Sequence, residues 1–485
     1  MKAAWDEELA SHRAEFEEGL ARAGFRLKES EWRGTVDRGG STAQVTVVLP
    51  DQFPLSRPKV YPADEASVPW SWHRERDGAL CLIAEEDYSD LWWINVGDFL
   101  AHVSRWFVEA DRGWPNDRPD LDLDRYFESS TDSTLILYGD LDRYRNAYVR
   151  FARQANNTLV LKGLGRRKGN SYRKSFYGYI GELGELTVPP RSWEDIVALL
   201  PEGTTLESAI TADCVRLLLL RYTRGEHHGV LTLDVQPNSN GGMSVQSRVS
   251  ASTVLDARTL RAGPNRRVLC RKSVAIVGVG AIGSHTADLM MRAGIAKMTL
   301  VDSDVLKPGN VVRHLAGPAH VGLPKVEAVA RTLKTSDGVK AIDVIPKVTR
   351  ISRGEEALKL VEQHDLVIDT SADFSCTALL RAAAHAAGKQ IVSGCIQNRG
   401  RTARVDILPA RADQQPVPDS RGLQFNEDNV PDLYETGCAS PVSPATPHIV
   451  GLAAALTSHY AVELLSEKPI ALAGHVVHLG LEAPT

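Results

Sequence analysis

One segment, Gly278-Val-Gly280-Ala-Ile-Gly283, constrains this chain more than any other. It lies between an apolar run at 272–277, which reads as a buried strand, and a helix-forming run at 282–293. Glycines at such a turn let the backbone approach an anion at a helix N-terminus, where unpaired N–H groups point outward. Beyond it the pattern alternates: strand at 298–301, helix at 324–333, strand at 366–369, helix at 376–387, strand at 390–392. That alternation predicts a parallel α/β sheet over the last part of the chain. Asp302 ends the second strand roughly 20 residues past the glycines, where a carboxylate accepts from a ribose hydroxyl.

A length of 485 residues suggests about three domains. Fifty-six Lys and Arg against 61 Asp and Glu leave a net charge of −5, which argues against a general nucleic-acid binder. The Met1-Lys-Ala-Ala-Trp-Asp-Glu-Glu start has no apolar signal core, and the apolar stretch at 449–465 is broken by Ser458, His459 and Glu463. That stretch reads as a buried Ala-rich helix, so no membrane is expected. Six scattered cysteines without a Cys-x-x-Cys pair point to free thiols in a reducing cytoplasm.

Eight of the nine tryptophans fall in the first 114 residues, so that block should have its own core. It opens with a helix whose Trp5, Leu9, Phe16 and Leu20 form one stripe. Strands follow at 31–37 and 43–49 around a Gly39-Gly40 turn, then a proline-punctuated stretch and a helix at 96–107. The expected division is a first α+β domain at 1–128, an α+β connector at 129–262 and an α/β domain at 263–485. In the connector, strands are expected at 158–162, 177–180, 217–222 and 230–235, with a helix at 193–200. His227 and His228 are strand neighbours facing opposite ways, so they share no metal.

The residues after Asp302 narrow the chemistry. Asp302-Ser-Asp304, Asn310-Val-Val-Arg313 and Gly322-Leu-Pro-Lys325 crowd polar and cationic groups beside the glycine loop. Hydride transfer has little use for them. Nucleotidyl transfer needs them to stabilise charge as pyrophosphate leaves, and Arg313 and Lys325 are the candidates. Asp369 and Asp373 follow the strand at 366–369, where a hard carboxylate suits Mg²⁺. Taken together, this series resembles the ThiF-type adenylation domain of ubiquitin-activating enzymes, over about 265–485. The resemblance implies a Rossmann-like fold and ATP-dependent adenylation of the C-terminal glycine of a ubiquitin-fold protein. Gly278, Gly280 and Gly283 would cradle the phosphates, Asp302 would take the ribose, and Asn310, Arg313 and Lys325 would take phosphates. The family spaces its late aspartates as Asp-x-x-Asp, whereas three residues intervene here; Asp373 is preferred over Asp369 for Mg²⁺. A homodimer is likewise implied.

Two cysteines stand out. Cys438 lies in a Pro-, Gly- and polar-rich loop at 410–447, and exposure is what a nucleophilic thiolate needs. In the resembled family, a loop in this region carries the cysteine that takes the activated C-terminus as a thioester. Cys81 lies in Gly78-Ala-Leu-Cys81-Leu, after Phe53-Pro54-Leu-Ser-Arg-Pro58-Lys-Val60 and before Trp92-Trp93. Those marks, over about 1–115, resemble a ubiquitin-conjugating (UBC-fold) domain, with Cys81 as its cysteine. The family's His-Pro-Asn is replaced: His73 is followed by Arg74, so another donor must replace the asparagine. The other four cysteines, Cys214, Cys270, Cys376 and Cys395, read as core thiols.

The two resemblances imply one relay: adenylation, thioester formation on Cys438, transfer to Cys81, and amide formation with a target amine. Such fusions resemble the bacterial activating–conjugating enzymes of CBASS anti-phage operons. The acyl donor would be the C-terminus of a cyclic-nucleotide synthase or of a ubiquitin-fold modifier, and deconjugation would fall to a separate metalloprotease. Three rivals stand beside this reading: an NAD(P)-dependent oxidoreductase, an adenylating enzyme for sulfur-carrier proteins without conjugation, and an inactive scaffold that binds a ubiquitin-fold partner.

Overall fold

The structure is a computed structural model that describes residues 2–82, 91–115, 121–165, 175–201, 203–336, 342–419, 433–434 and 441–479. The chain forms two compact units, Met1–Val254 and Leu255–Thr485.

The first unit holds two sheets. Strands Arg26–Lys28, Glu31–Asp37, Thr42–Val48 and Lys59–Pro62 make an antiparallel meander in sequence order. Gly39 and Gly40, at φ of +65° and +97°, turn the central hairpin at the expected place. Burial alternates along Thr42–Val48, so Ala43, Val45 and Val47 face a core. That core is closed by Phe16 and Leu20 of helix Lys2–Arg22 and by Phe99, Val103 and Phe107 of helix Val96–Asp111. The two helices approach so closely at Gly19 that a Cβ there would lie 2.6 Å from Cγ2 of Val96.

The second sheet has nine strands and is larger than the connector pattern suggested. Its centre is Ala147–Gln154, Ser175–Glu185, Leu217–Arg224 and His227–Pro237. Leu217 and Leu219 face one core, while Leu218 and Leu220 face the other, which explains the unbroken leucine run. His227 and His228 sit in the last of these strands, opposite Arg224 and Thr223. Trp72 and Tyr126, from the segment between the two sheets, pack into the core that also holds Tyr179, Trp193 and Leu218, with half-buried Trp70 against it.

The second unit is a seven-stranded sheet. Asp343–Lys347, Lys297–Val301, Ser273–Val277, Leu366–Asp369 and Ile391–Gln397 run parallel in that spatial order. Thr402–Leu408 and Gly474–His478 complete it antiparallel, a departure from the all-parallel expectation. Two antiparallel strands can pair through a tight turn, and the turn at Asn398–Gly400 supplies it. Both faces are covered: Val274 and Ile276 face one core, Ala275 and Val277 the other. Helix Pro447–Leu465 buries Ile449, Ala453, Ala454 and Ala461 as the Ala-rich reading expected. Its small residues permit close packing, with Gly394 against Thr457. The core-thiol reading holds for buried Cys376 but not for Cys270, which is exposed just past the short helix Arg266–Leu269.

Candidate functional site

Register places the C-terminal ends of four strands in one line: Lys347 pairs with Val301, Val301 with Val277, and Val277 with Asp369. From Ser273–Val277 the chain adds strands outward in one direction, then crosses back to place Leu366–Asp369 on the other side. The crevice beyond such a switch point is where open α/β sheets bind ligands. The glycine loop opens into it.

Each glycine of that loop has a different reason. Gly278 has φ +81°, and a Cβ there would lie 2.3 Å from Cα of Ser371. Gly283 has no room either: its Cβ would meet Gly278 O at 2.0 Å and Thr370 Oγ1 at 2.5 Å. Gly280 faces open space, with nothing within 4 Å of a Cβ. It is the N-cap of helix Ala281–Ala293, and no side chain caps the helix's first amides. An anion is what those amides can take.

The neighbouring segment clamps the loop. Val279 N–H donates to Asp302 Oδ2 at 2.7 Å, and Val279 O lies 3.0 Å from His314 Nε2. His314 Nδ1 accepts from Ala316 N–H at 3.0 Å, so Nε2 carries the proton and donates to Val279 O. Leu315 N–H donates to Ser284 Oγ at 3.2 Å. His314 is buried, and burial holds its pKa below the ordinary value, aided by Lys325 and His285; the Val279 bond and Asp302 oppose this. It therefore acts as a neutral brace. Thr370 Oγ1 donates to Gly278 O at 2.6 Å from the other side. Sequence reasoning passed over His314 and Thr370; their only signals were adjacency to Arg313 and to the strand-ending Asp369.

The expected charged residues divide. Lys325 Nζ lies 2.7 Å from Asp304 Oδ2, and its charge reaches His314 beside the loop. Arg313 Nη1 donates to the carbonyls of Ser443 at 2.9 Å and Ala445 at 2.8 Å, gripping the segment that follows the Cys438 loop. Asn310 Oδ1 accepts from Lys307 N–H at 3.0 Å and so caps its own turn. Asp369 is buried and saturated: it accepts from Ser371 N–H and Oγ, from Thr377 Oγ1 and, at 3.4 Å, from Ser393 Oγ. Asp373 is the N-cap of helix Phe374–Ala386 and pairs with Arg350 at the surface, which holds its carboxyl below the usual range. Mg²⁺ uses one or two carboxylates plus substrate phosphates and keeps water. Asp369 already carries four donors; Asp373 is half-buried and would have to exchange its bonds from Ser375 N–H and Arg350 to meet that demand. No group of three or more His, Cys, Asp or Glu that could hold a metal by itself occurs among the described residues.

The brace sets a pH response. A histidine whose folded pKa is depressed contributes stability that is present at neutral pH and lost as pH falls below the unfolded value of about 6.5. His364, half-buried, shifts the same way. Chemical denaturation at pH 7.5 and near pH 5.5 should show the wild type losing stability on acidification. His314→Gln places a neutral donor near Nε2 and should lose less; equal losses would assign the acid sensitivity elsewhere.

Cys438 falls outside the described residues. Cys81 is described. Leu80 and Leu82 beside it enter the core, whereas Cys81 is half-buried. Its N–H donates to His73 O at 2.9 Å and Leu80 N–H to Val60 O at 2.8 Å, which closes the loop from 73 to 81 on the sheet edge. His73 stacks on Trp114 with centroids 3.7 Å apart. Arg74, where the resembled family has proline, is buried and fills the loop. It donates to Val68 O at 3.0 Å and to Gly78 O through Nε at 3.1 Å and through Nη2. Burial pushes its pKa down. Arg74 thus organises the approach to Cys81 through backbone carbonyls.

Residues 258–479 match the model of the ThiF family. An uncharacterized protein, y4qC of Sinorhizobium fredii, is 24% identical over 440 residues, covering 78% of this chain and 72% of its own. The ATP-dependent ubiquitin transferase-like protein Cap2 of Pseudomonas aeruginosa is 29% identical over 219 residues, 39% of this chain and 38% of Cap2. Ubiquitin-like modifier-activating enzyme 5 of Drosophila melanogaster is 35% identical over 117 residues, 21% of this chain and 29% of that enzyme. Apart from y4qC, the chain spans less than two fifths of the length of the first curated relatives it matches.

Proposed function

We propose, taking the ThiF match of residues 258–479 as the premise, that this chain activates a protein C-terminus by adenylation and passes it through two thiols to an amine. The observation that carries the adenylation step is the open backbone at Gly280 over the uncapped helix amides, with Asp302, Lys325 and Asp373 around the same crevice. The carboxylate of a terminal glycine attacks the α-phosphorus of ATP, and the bond to pyrophosphate breaks. The loop amides and Lys325 offset the charge that develops there. Lys325 serves once its pairing with Asp304 yields to phosphate oxygens. Arg313, with one edge on Ser443 and Ala445, faces phosphates with its remaining N–H groups. Asp302 takes the ribose, and Asn310 supports the phosphate side. Asp373 would hold Mg²⁺, which neutralises phosphate charge when bound.

Cys438 thiolate then attacks the acyl carbon, and AMP leaves. Cys81 thiolate displaces Cys438 in the same way, and an amine displaces Cys81 to give an amide. Residues 1–115 act as the conjugating part, with Cys81 presented at the end of the Arg74-filled loop. The acyl donor is a ubiquitin-fold modifier or the C-terminus of a cyclic-nucleotide synthase. Homodimer assembly, a cytoplasmic setting and a role in anti-phage defence complete the proposal; the similarity to an ATP-dependent ubiquitin transferase-like protein supports its ATP-dependent activation step.

The test is AMP release. Purified protein, ATP·Mg²⁺ and the protein encoded beside it should give AMP and pyrophosphate together, with an adduct cleaved by thiols. AMP without an adduct would favour a sulfur-carrier adenylating enzyme. Binding of the partner without AMP would favour a scaffold, and a nicotinamide-dependent signal without ATP turnover an oxidoreductase.

A further inference from the structure

The crevice beyond the strand ends holds one more cation than the sequence pattern marks. Arg350 lies three residues past the end of strand Asp343–Lys347, in the segment that leads into helix Gly354–Gln363. Its side chain is 69% exposed, and among the described residues it has one hydrogen-bonding partner, Asp373 Oδ2, reached through Nη2. The guanidinium therefore keeps most of its five N–H donors for other oxygens. Asp373 stands two residues from Ser371, whose Cα is the atom that a Cβ on Gly278 would strike. Arg350 is thus tied to the turn that backs the glycine loop, and its charge is felt at Cys376 in the next helical turn. That turn is rigid. Ala372 sits at φ +54°, a conformation an alanine holds only where its surroundings impose it. Asp369 accepts from Ser371 N–H at 3.0 Å, Ser371 Oγ from Asp373 N–H at 3.3 Å, and Asp373 from Ser375 N–H at 2.9 Å.

Lys325 is arranged in the same way from the other side of the sheet. It begins a helix whose Val326, Val329 and Leu333 pack in one core, whereas Arg350 precedes a helix whose Ala357, Leu360 and Val361 pack in the other. Each cation rests on a carboxylate of the crevice: Lys325 Nζ on Asp304 at 2.7 Å, and Arg350 on Asp373. A triphosphate over Gly280 brings several negative charges between them. An exposed ion pair contributes little stability, so Arg350 leaves Asp373 at low cost. A phosphate offers the planar guanidinium two oxygens at once, which suits its fork of donors. Asp373 is then freed on that edge for Mg²⁺, which takes one or two carboxylates beside substrate phosphates. The guanidinium stays protonated throughout, so the exchange moves no proton.

We propose, building on the adenylation site above, that Arg350 is a further phosphate-binding residue, held by Asp373 in the free protein and passed to a phosphate oxygen when a nucleoside triphosphate binds. The test is calorimetric titration of the full chain with a non-hydrolysable ATP analogue in Mg²⁺, with adenosine as the control that lacks phosphate. Arg350→Ala should weaken the analogue at least about tenfold and leave adenosine affinity and the thermal melt unchanged. Arg350→Lys keeps the charge but loses the fork, and should fall between. The same loss should appear when Arg350→Ala is made in an Asp373→Asn protein, where asparagine preserves the helix cap. No loss in that background would mean that Arg350 acts only by holding Asp373, and would overturn the proposal. An equal loss for adenosine and analogue would overturn it in favour of a structural role. Unchanged analogue affinity in Arg350→Ala, with AMP release by the wild type intact, would overturn it and leave the adenylation activity in place. A wild type that binds no analogue would exclude both the adenylation site and this role.

Discussion

Gly283→Ala should lose nucleotide binding by at least about a hundredfold, a change equivalent to about 2.7 kcal/mol. The added methyl would stand 2.0 Å from Gly278 O and 2.5 Å from Thr370 Oγ1, and neither can retreat. Gly278 O is backbone, and it already accepts from that same hydroxyl at 2.6 Å. The loop must therefore move off the helix N-terminus, and Val279 loses its place between Asp302 and His314. Overpacking of this kind also costs about 1–3 kcal/mol of stability, so a denaturation midpoint should fall as well. Gly280→Ala provides the contrast. Its methyl meets nothing within 4 Å, so stability should hold while ATP affinity drops, because the open space is where a phosphate must come. Equilibrium binding of a non-hydrolysable ATP analogue, with denaturation curves alongside, separates the two outcomes. Full binding by Gly283→Ala, or a folding defect in Gly280→Ala, would remove the loop from the phosphate site.

The second large effect concerns the two thiols. Cys438→Ala should abolish every thiol-sensitive adduct while leaving pyrophosphate exchange intact, because adenylation precedes the first thioester. Cys81→Ala should retain the Cys438 adduct and lose all amide product. Serine at either position converts a thioester into a more stable oxyester, which gives a positive signature rather than a loss. The read-out is a non-reducing gel with and without reductant, followed by mass of the trapped species. Adduct formation on Cys81 in the Cys438→Ala protein would eliminate the relay and leave a single-thiol enzyme.

The glycine loop, Asp302 and the strand–helix alternation were legible because each is a local statement. Strands buried on both faces read as unbroken apolar runs, and Ser273–Val277 and Leu366–Asp369 are such runs. The hairpin around Gly39 and Gly40 was legible for the same reason, since the turn residues specify their own φ. The nine-stranded sheet was not. Ser250–Ser252 pairs with Leu135–Tyr138, and Glu128–Ser129 with Gln246 and Ser247, across more than a hundred residues. Short, polar strands of this kind carry no periodicity to announce them.

The candidate site divides along the same line. Sequence alone determined which residue types stand near the loop, and it already preferred Asp373 over Asp369 for Mg²⁺. Tertiary structure decided their partners: four donors surround buried Asp369, while half-buried Asp373 caps its helix through Ser375 N–H and pairs with Arg350. It also made His314 the partner of Val279 and set Arg313 on Ser443 and Ala445, 130 residues or more away. Spacing along a chain fixes dihedral preference and the face a side chain presents. Which donor meets which acceptor is decided by the packing of distant segments, whose contact energies no local pattern contains.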